Sequence, residues 1–302
     1  MIIEKEKYIG KDGLVLHHVP SATTYRFNRQ ETCTFMNKKI NFNKLDHFPE
    51  IIHLSISNRC DMLPLCKYCY IDKNAKEIST RNWKKIIKEI ADIGVFGVTL
   101  AGAEPFMRKD VCILGKYANN LHLNPTLTTN GMKITNYSKD ELACFKLISV
   151  SWHKHTKIFE NALSYLKKLK IPRTINYIYD KRHKDDLEYI KRCALDYDAS
   201  ILFLAYKHVI GDFENQIHPK KVLKVAIETS KEGYKCAVDS PCLDQCWASK
   251  RFCTISSSGN LQPCSFVENK RELNVLNLSL KGAWKLRDKI VFCPYYNGEQ
   301  KW

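Results

Sequence analysis

Between residues 51 and 206 the hydrophobic period of this chain switches back and forth, and that alternation limits the folds open to it. Residues 51–56 are a short apolar run, Ile51-Ile52-His53-Leu54-Ser55-Ile56. Residues 79–93 then place Trp83, Ile86, Ile87, Ile90 and Ile93 at helical spacing, and Gly94 ends the helix. Further strand-like runs occupy 95–100, 125–129, 145–151, 172–179 and 200–206. Helical segments at about 156–170 and 186–193 separate the later ones. Strands alternating with helices imply parallel strands joined by right-handed crossovers. Sheets built this way carry their active sites at the carboxyl ends of the strands. The residues just past each strand are therefore where chemistry is expected.

The first such end is the richest. It reads Cys60-Asp61-Met62-Leu63-Pro64-Leu65-Cys66-Lys67-Tyr68-Cys69-Tyr70. Three thiolates on one loop suit three irons of a [4Fe–4S] cluster and leave the fourth iron open to a small molecule. A zinc knuckle is the competing reading, although tetrahedral zinc wants a fourth ligand nearby. The chain has 13 cysteines, and its first residues, Met1-Ile2-Ile3-Glu4-Lys5-Glu6-Lys7, lack the apolar core of a secretory signal. That combination predicts metal or redox use in a reducing cytoplasm rather than a disulfide framework. No run of eighteen apolar residues occurs, so neither a membrane-spanning helix nor a membrane partner is expected.

These residues resemble the radical S-adenosylmethionine (SAM) superfamily. Its usual motif is Cys-x3-Cys-x2-Cys after the first barrel strand, with an aromatic residue before the last cysteine. Tyr68 and Cys69 match, while the first gap here holds five residues. Gly102-Ala103-Glu104-Pro105, after the second strand, resembles the family's Gly-Gly-Glu-Pro, with Ala103 for the second glycine. The resemblance implies that this loop lies against the SAM methionine, with Glu104 and backbone oxygens accepting from the ammonium. Asn130-Gly131 resembles the Thr-Asn-Gly that ends the third strand. Ser149 and Ser151 fall where members bond the SAM ribose. Arg173 and Asn176 on the fifth strand, and Leu204 on the sixth, are its further implied SAM contacts. Trp152-His153-Lys154-His155 stands where many relatives have Asp-Gly. His153 and His155 are candidates to face the substrate or carry protons, or are ordinary loop histidines.

The fold implied is α/β, a partial (β/α)6 TIM-like barrel over 50–212. A β-ribbon-like extension over 1–49 precedes it, with strand character at 13–16 and 24–27 and a lone, structural Cys33. No leader-binding winged helix is expected in that extension. Residues 213–302 hold six cysteines: 236, 242, 246, 253, 264 and 293. Cys246, Gly259 and Cys264 resemble the opening of the SPASM/twitch extension, with a hairpin turning at Ser258-Gly259. The later cysteine run of a full SPASM domain is absent. The resemblance therefore implies one auxiliary [4Fe–4S] cluster, on Cys242, Cys246, Cys264 and Cys293. Cys236 and Cys253 are spare thiols, candidates for a hydrogen donor.

The implied chemistry is reductive cleavage of SAM to a 5′-deoxyadenosyl radical, which takes hydrogen from a substrate carbon. The expected partners are a precursor peptide or a small-molecule substrate, and an electron donor such as a flavodoxin or ferredoxin. Maturation of a ribosomal peptide, by crosslinking or epimerisation, is the preferred reading. Oxidation or rearrangement of a small molecule is the alternative. An RNA-modifying or non-catalytic iron–sulfur protein is a third. The net charge of +16 is spread over single and paired lysines such as Lys84-Lys85. It suits an acidic leader, and it equally suits a solvated lysine-rich surface.

Overall fold

The computed structural model describes residues 4–10, 12–18, 23–42, 48–208, 211–243 and 246–288. Its centre is a nine-stranded sheet. Six strands run in parallel and in sequence order: β4 (Ile51–Ser57), β5 (Gly97–Gly102), β6 (Asn124–Thr129), β7 (Leu147–Ser151), β8 (Arg173–Tyr179) and β9 (Ser200–Ala205). The principal crossover helices are α2 (Thr80–Asp92), α3 (Val111–Asn120), α5 (Thr156–Lys168) and α6 (Leu187–Asp196), with a single turn, α4 (Lys139–Leu142), before β7. Helix α2 forms as its spacing predicts. Ser79 caps it by accepting from the Asn82 N–H, and Trp83, Ile86, Ile87 and Ile90 make its buried stripe.

Crossovers of one hand, taken in one direction, place every helix on the same face of the sheet. The strand residues divide accordingly. Ile52, Leu54 and Ile56 on β4, Ile148 and Val150 on β7, and Ile175 and Tyr177 on β8 are buried in one core with the helices. The opposite face is polar: register aligns His53 with Thr99 and Thr126, and Thr128 with Ser149 and Thr174. A sheet covered on both faces is apolar on both. Helix cover on one face alone suits a sheet curled about its polar face, an open partial barrel.

The amino-terminal region exceeds the expected ribbon. Strands β1 (Glu4–Gly10), β2 (Gly13–His18) and β3 (Thr23–Phe27) form a three-stranded antiparallel sheet, and helix α1 (Arg29–Met36) follows. Helix α1 is hard to read because only Thr32 of its residues is buried. Asn28 and Glu31 start it as a capping box. This unit sits at the amino-terminal end of the barrel strands. The His17 ring stacks on Phe96, 4.7 Å between centroids, and its Nε2 accepts from Asn124 Nδ2 at 2.6 Å. Arg26 pairs with the buried Glu50, just ahead of β4.

Among the described residues, the carboxyl-terminal strands join the central sheet. After helix α7 (Pro219–Lys231), strand β10 (Cys236–Val238) adds in parallel to β9. Strand β11 (Phe252–Ile255) adds in parallel to β4, and β12 (Leu261–Gln262) turns back antiparallel on β11. One sheet thus runs across the boundary expected at 212. Helices α8 (Val275–Leu278) and α9 (Leu280–Leu286) close the described chain, with Ala283 and Trp284 in the core. Among the described residues no helix is long and apolar enough to cross a membrane.

Candidate active site

The carboxyl ends of β4 to β9 bring four expected motifs together. The cysteine loop leaves β4, and all three thiols are partly buried. Burial pushes the Cys66 thiol up, and the neighbouring Cys69 and Cys60 thiols raise it further, so the three sulfurs share one small region. Among the described residues no three His, Cys, Asp or Glu side chains close on a point fit for a single metal ion. A four-iron cluster asks for something different, one thiolate per iron, so its sulfurs ring the cluster. Three crowded, partly exposed thiols on one loop fit that group. A second fit lies on the polar face. Asn176 Oδ1 is buried and has no hydrogen-bond partner among the described residues. Register places Asn176 beside Ser151 and Leu202 on that face. A buried, unused acceptor is costly unless a ligand donates to it.

Glu104 has a different place from the one expected. It is 0% exposed, and its carboxylate is filled from within. Oε1 accepts from the Phe106 N–H at 3.0 Å and from Thr129 Oγ1 at 2.9 Å, and Oε2 accepts from the Asn130 N–H at 2.7 Å. It is a knot between the ends of β5 and β6. Asn130 carries the tie onward: its Nδ2 donates to Asp61 Oδ1 at 2.9 Å and lies 3.8 Å from Cys60 Sγ. Burial pushes the Glu104 carboxyl up to about 7, against the pull of those donors. A carboxyl raised on folding gives stability that is full below its ordinary value of 4.5 and is lost as pH rises through 7. Glu104→Gln turns an acceptor into a donor facing a donor, a cost of about 1–3 kcal/mol. It also removes this pH dependence. In urea unfolding, the gap between parent and variant is expected to be wider at pH 5 than at pH 8.

The Gly102 and Ala103 positions divide cleanly. Gly102 has φ +122°, and a Cβ there would overlap the Ser57 carbonyl oxygen. Its need for glycine comes from the neighbouring strand. Ala103 is not among the residues with positive φ, so its methyl group brings no strain, and its N–H donates to Ser57 O at 2.8 Å. Pro105 is buried in the turn that follows. Tyr68 stands between the cysteine loop and the far strands: its ring meets His183 and Tyr206 edge-on, with the Arg182 guanidinium over it at 5.2 Å. His153 joins it, with Nδ1 3.3 Å from Tyr68 Oη and 3.5 Å from Cys66 Sγ. Burial lowers the His153 ring to about 4, helped by His155 and His183. His155 begins α5 and makes no side-chain cap there. Ser149 lies on the polar face, and Leu204 sits opposite Ile178 near the head of β9.

Three expected residues lie elsewhere. Arg173 starts β8 at the far end of the sheet, where its guanidinium donates to the carbonyls of Tyr197 and Ile171. Cys236 pairs with Ile201 and Cys253 with Ile52, both near the amino-terminal ends of the barrel strands. Cys253 is completely buried. Neither thiol reaches the cysteine loop. Alternation along a strand gives the face of a residue; its height along the strand must be counted from the strand's start.

Cys242 and Cys246 follow β10 and Cys264 follows β12, and these three share the neighbourhood of Lys207, just past β9. Burial raises the thiols of Cys242, Cys246 and Cys264, and the Lys207 ammonium lies close enough to lower all three. Cys242 Sγ also donates to Asp239 Oδ1 at 3.1 Å, and Asp239 pairs with Lys207 at 2.9 Å. Cys293 lies outside the described residues. Phe266, two residues past Cys264, packs on Tyr70 of the cysteine loop with centroids 4.2 Å apart. The motifs say nothing of Asp239, Lys207 or Glu77. Glu77 ties both ends of the cysteine loop, accepting from Ser57 Oγ at 2.9 Å, from the Asn58 N–H at 3.0 Å, and from Arg59.

No protein-family profile matches the chain. A PqqA peptide cyclase of Bradyrhizobium diazoefficiens is 31% identical over 184 residues, which are 54% of this chain and 48% of that relative. The match thus spans about half the length of that cyclase. A PqqA peptide cyclase of Xanthomonas campestris pv. campestris is 24% identical over 279 residues, 78% of this chain and 73% of its own. Among solved structures, SuiB of Streptococcus suis superimposes with a TM-score of 0.73 at 17% identity. That match covers 97% of this chain and 88% of SuiB. The SAM-bound anSMEcpe gives a TM-score of 0.60 at 15% identity, over 79% of this chain and 80% of its own. At such identities these two carry the fold alone. The comparisons agree with one another: the chain is similar in sequence to PqqA peptide cyclases and in fold to SuiB and anSMEcpe.

Proposed function

We propose that this chain matures a ribosomally made precursor peptide by radical SAM chemistry, forming a crosslink. The observation that carries the reading is the polar, helix-free face of the sheet, which runs to the Cys60, Cys66 and Cys69 loop. A [4Fe–4S] cluster bound here together with SAM would supply one-electron cleavage of SAM and, from it, removal of hydrogen from the substrate. The protein's part is to hold and to shield. Cys60, Cys66 and Cys69 hold the cluster. Ser149, Ser151 and Asn176 offer hydrogen-bond partners along the face, the last with an unused acceptor. Tyr68, Tyr206 and Arg182 wall the site on the far side. Cys242, Cys246 and Cys264, with Cys293, are the auxiliary ligands we assign. Forming a crosslink removes two hydrogen atoms from the peptide: one would end in 5′-deoxyadenosine, the other would leave as a proton and an electron, for which an auxiliary cluster on these cysteines would be the acceptor. A separate electron, from a one-electron donor such as a flavodoxin or ferredoxin, would be consumed in cleaving SAM.

The relatives support a peptide substrate. PqqA peptide cyclase is named for one, and SuiB has been solved with the precursor peptide SuiA at a TM-score of 0.73, covering 98% of this chain. BtrN, solved with 2-DOIA, matches less well, with a TM-score of 0.51 over 80% of the chain. The charge of +16 is compatible with an acidic peptide. The test is an anaerobic assay of the reconstituted chain with SAM, reductant and a precursor peptide encoded beside it. Expected are 5′-deoxyadenosine and a peptide lighter by a pair of hydrogens. A modified peptide of unchanged mass would point to epimerisation. Turnover on a small alcohol and none on peptide would overturn the reading.

A further inference from the structure

The loop between β7 and α5 is fixed on both sides of His153. Ahead of it, Trp152 is buried, donates from Nε1 to Asp186 at 2.8 Å, and packs against Phe159 and Tyr189. Behind it, Lys154 takes the left-handed conformation at φ 61°, and its Nζ donates to the Arg182 carbonyl at 2.8 Å. A non-glycine residue held at positive φ is uncommon and marks a loop whose course is constrained by its surroundings. Held this way, His153 brings Nδ1 to 3.5 Å from Cys66 Sγ.

An iron-bound thiolate can only accept a hydrogen bond. The ring nitrogen that faces it must therefore carry the proton, which assigns the tautomer with hydrogen on Nδ1. Tyr68 Oη, 3.3 Å from the same nitrogen, shares that N–H. The geometry points to His153 as a positioning residue that donates to the Cys66 sulfur and raises the reduction potential of the SAM-binding cluster. Hydrogen bonds to cluster sulfurs draw electron density from the thiolate and favour the reduced, more negative state. The role differs from that of a proton carrier to substrate, since the donor nitrogen is committed to the cluster loop. It rests on the functional reading above, in which Cys66 holds iron.

The test is a redox titration of the reconstituted full chain followed by electron paramagnetic resonance. The signal of interest is the one that changes when SAM is added. The comparison is His153→Asn with His153→Leu, two side chains of similar size, of which only asparagine keeps an N–H near the Nδ1 position. The leucine variant is expected to show a reduced-to-oxidised ratio about tenfold lower at fixed potential, a shift of about 59 mV for one electron. The asparagine variant is expected to stay within about twofold of the parent, about 18 mV on the same scale. Equal potentials in parent and leucine variant, at equal iron content, would overturn the assignment and leave the functional reading standing. Iron lost from the leucine variant and kept in the asparagine variant would also overturn it, because the nitrogen would then serve the fold of the loop. A parent chain that takes up no iron and shows no such signal would overturn both.

Discussion

Replacing Cys60, Cys66 and Cys69 together by alanine is expected to bring 5′-deoxyadenosine formation from SAM down to the level of buffer alone. It should also remove one cluster's share of the iron. The fold is expected to survive. The three thiols lie partly exposed on a loop outside the hydrophobic core, so their loss opens no buried cavity. Without iron they crowd one another, and burial together with that crowding raises Cys66, so removing them relieves a conflict. Circular dichroism and the thermal midpoint of the iron-free chain should therefore match the parent. Retained 5′-deoxyadenosine formation in the triple variant would show that the long-gapped loop is not the SAM cluster site. The same change at Cys242 and Cys246 should behave differently. Both are buried, and a variant there risks the fold as well as the auxiliary cluster.

The second large effect belongs to Gly102. Gly102→Ala puts an L side chain at φ +122° and a methyl group into the Ser57 carbonyl oxygen, with Ser57 N only 3.2 Å from it. The backbone strain costs about 1–3 kcal/mol, and overpacking against a backbone that cannot turn aside adds about 1–3 kcal/mol. The sum, roughly 2–6 kcal/mol, corresponds to a fall of about 4–20 °C in thermal midpoint for a chain of this size. The damage would start where β5 meets the residues leading to Cys60, so iron retention should fall too. Ala103→Gly is the control. Ala103 has no positive φ, and the change should cost no more than about 1 kcal/mol. Equal midpoints for Gly102→Ala and its parent would show that the end of β5 yields more readily than its geometry implies.

Much of this molecule can be read before folding, and the reasons are local. Strands β4 to β9 announce themselves because each is a short run of apolar or β-branched residues followed by turn chemistry. The cysteine spacing, Glu104 and Asn130 are legible because strand ends collect site residues. What stays hidden is long-range. Glu77 grips Ser57 and Arg59 from some twenty positions away, and Arg108 reaches back to the Ile78 carbonyl. Neither contact has a local pattern. His153 is visible as a departure from the family's motif, but its partner is Cys66, 87 positions distant. Arg173 shows the opposite error: its strand is right, but its height is wrong and so is its face, since it pairs with Ile148 on the helix side of the sheet. Helix α7 does carry a sequence mark, Pro219 at its first turn, and it brings no catalytic residue with it.

The pairing of β11 with β4 also sets a timetable. β4 emerges early in synthesis, yet one of its edges waits for residues some two hundred positions later, since Ile52 is the partner of Cys253. Until those residues arrive, a row of unpaired backbone groups on an apolar strand is open to other chains. Contacts this far apart in sequence form slowly, and partly made sheets of this kind are prone to aggregate. The last stretch of polypeptide thus acts on the first barrel strand as a cover that arrives late. A nascent chain stalled at residue 212 would carry the six barrel strands β4 to β9 and an unguarded β4 edge. Slowed translation, cold or a crowded ribosome tunnel would lengthen that exposure, and the yield of usable protein would then be governed by how quickly the ribosome reaches Phe252.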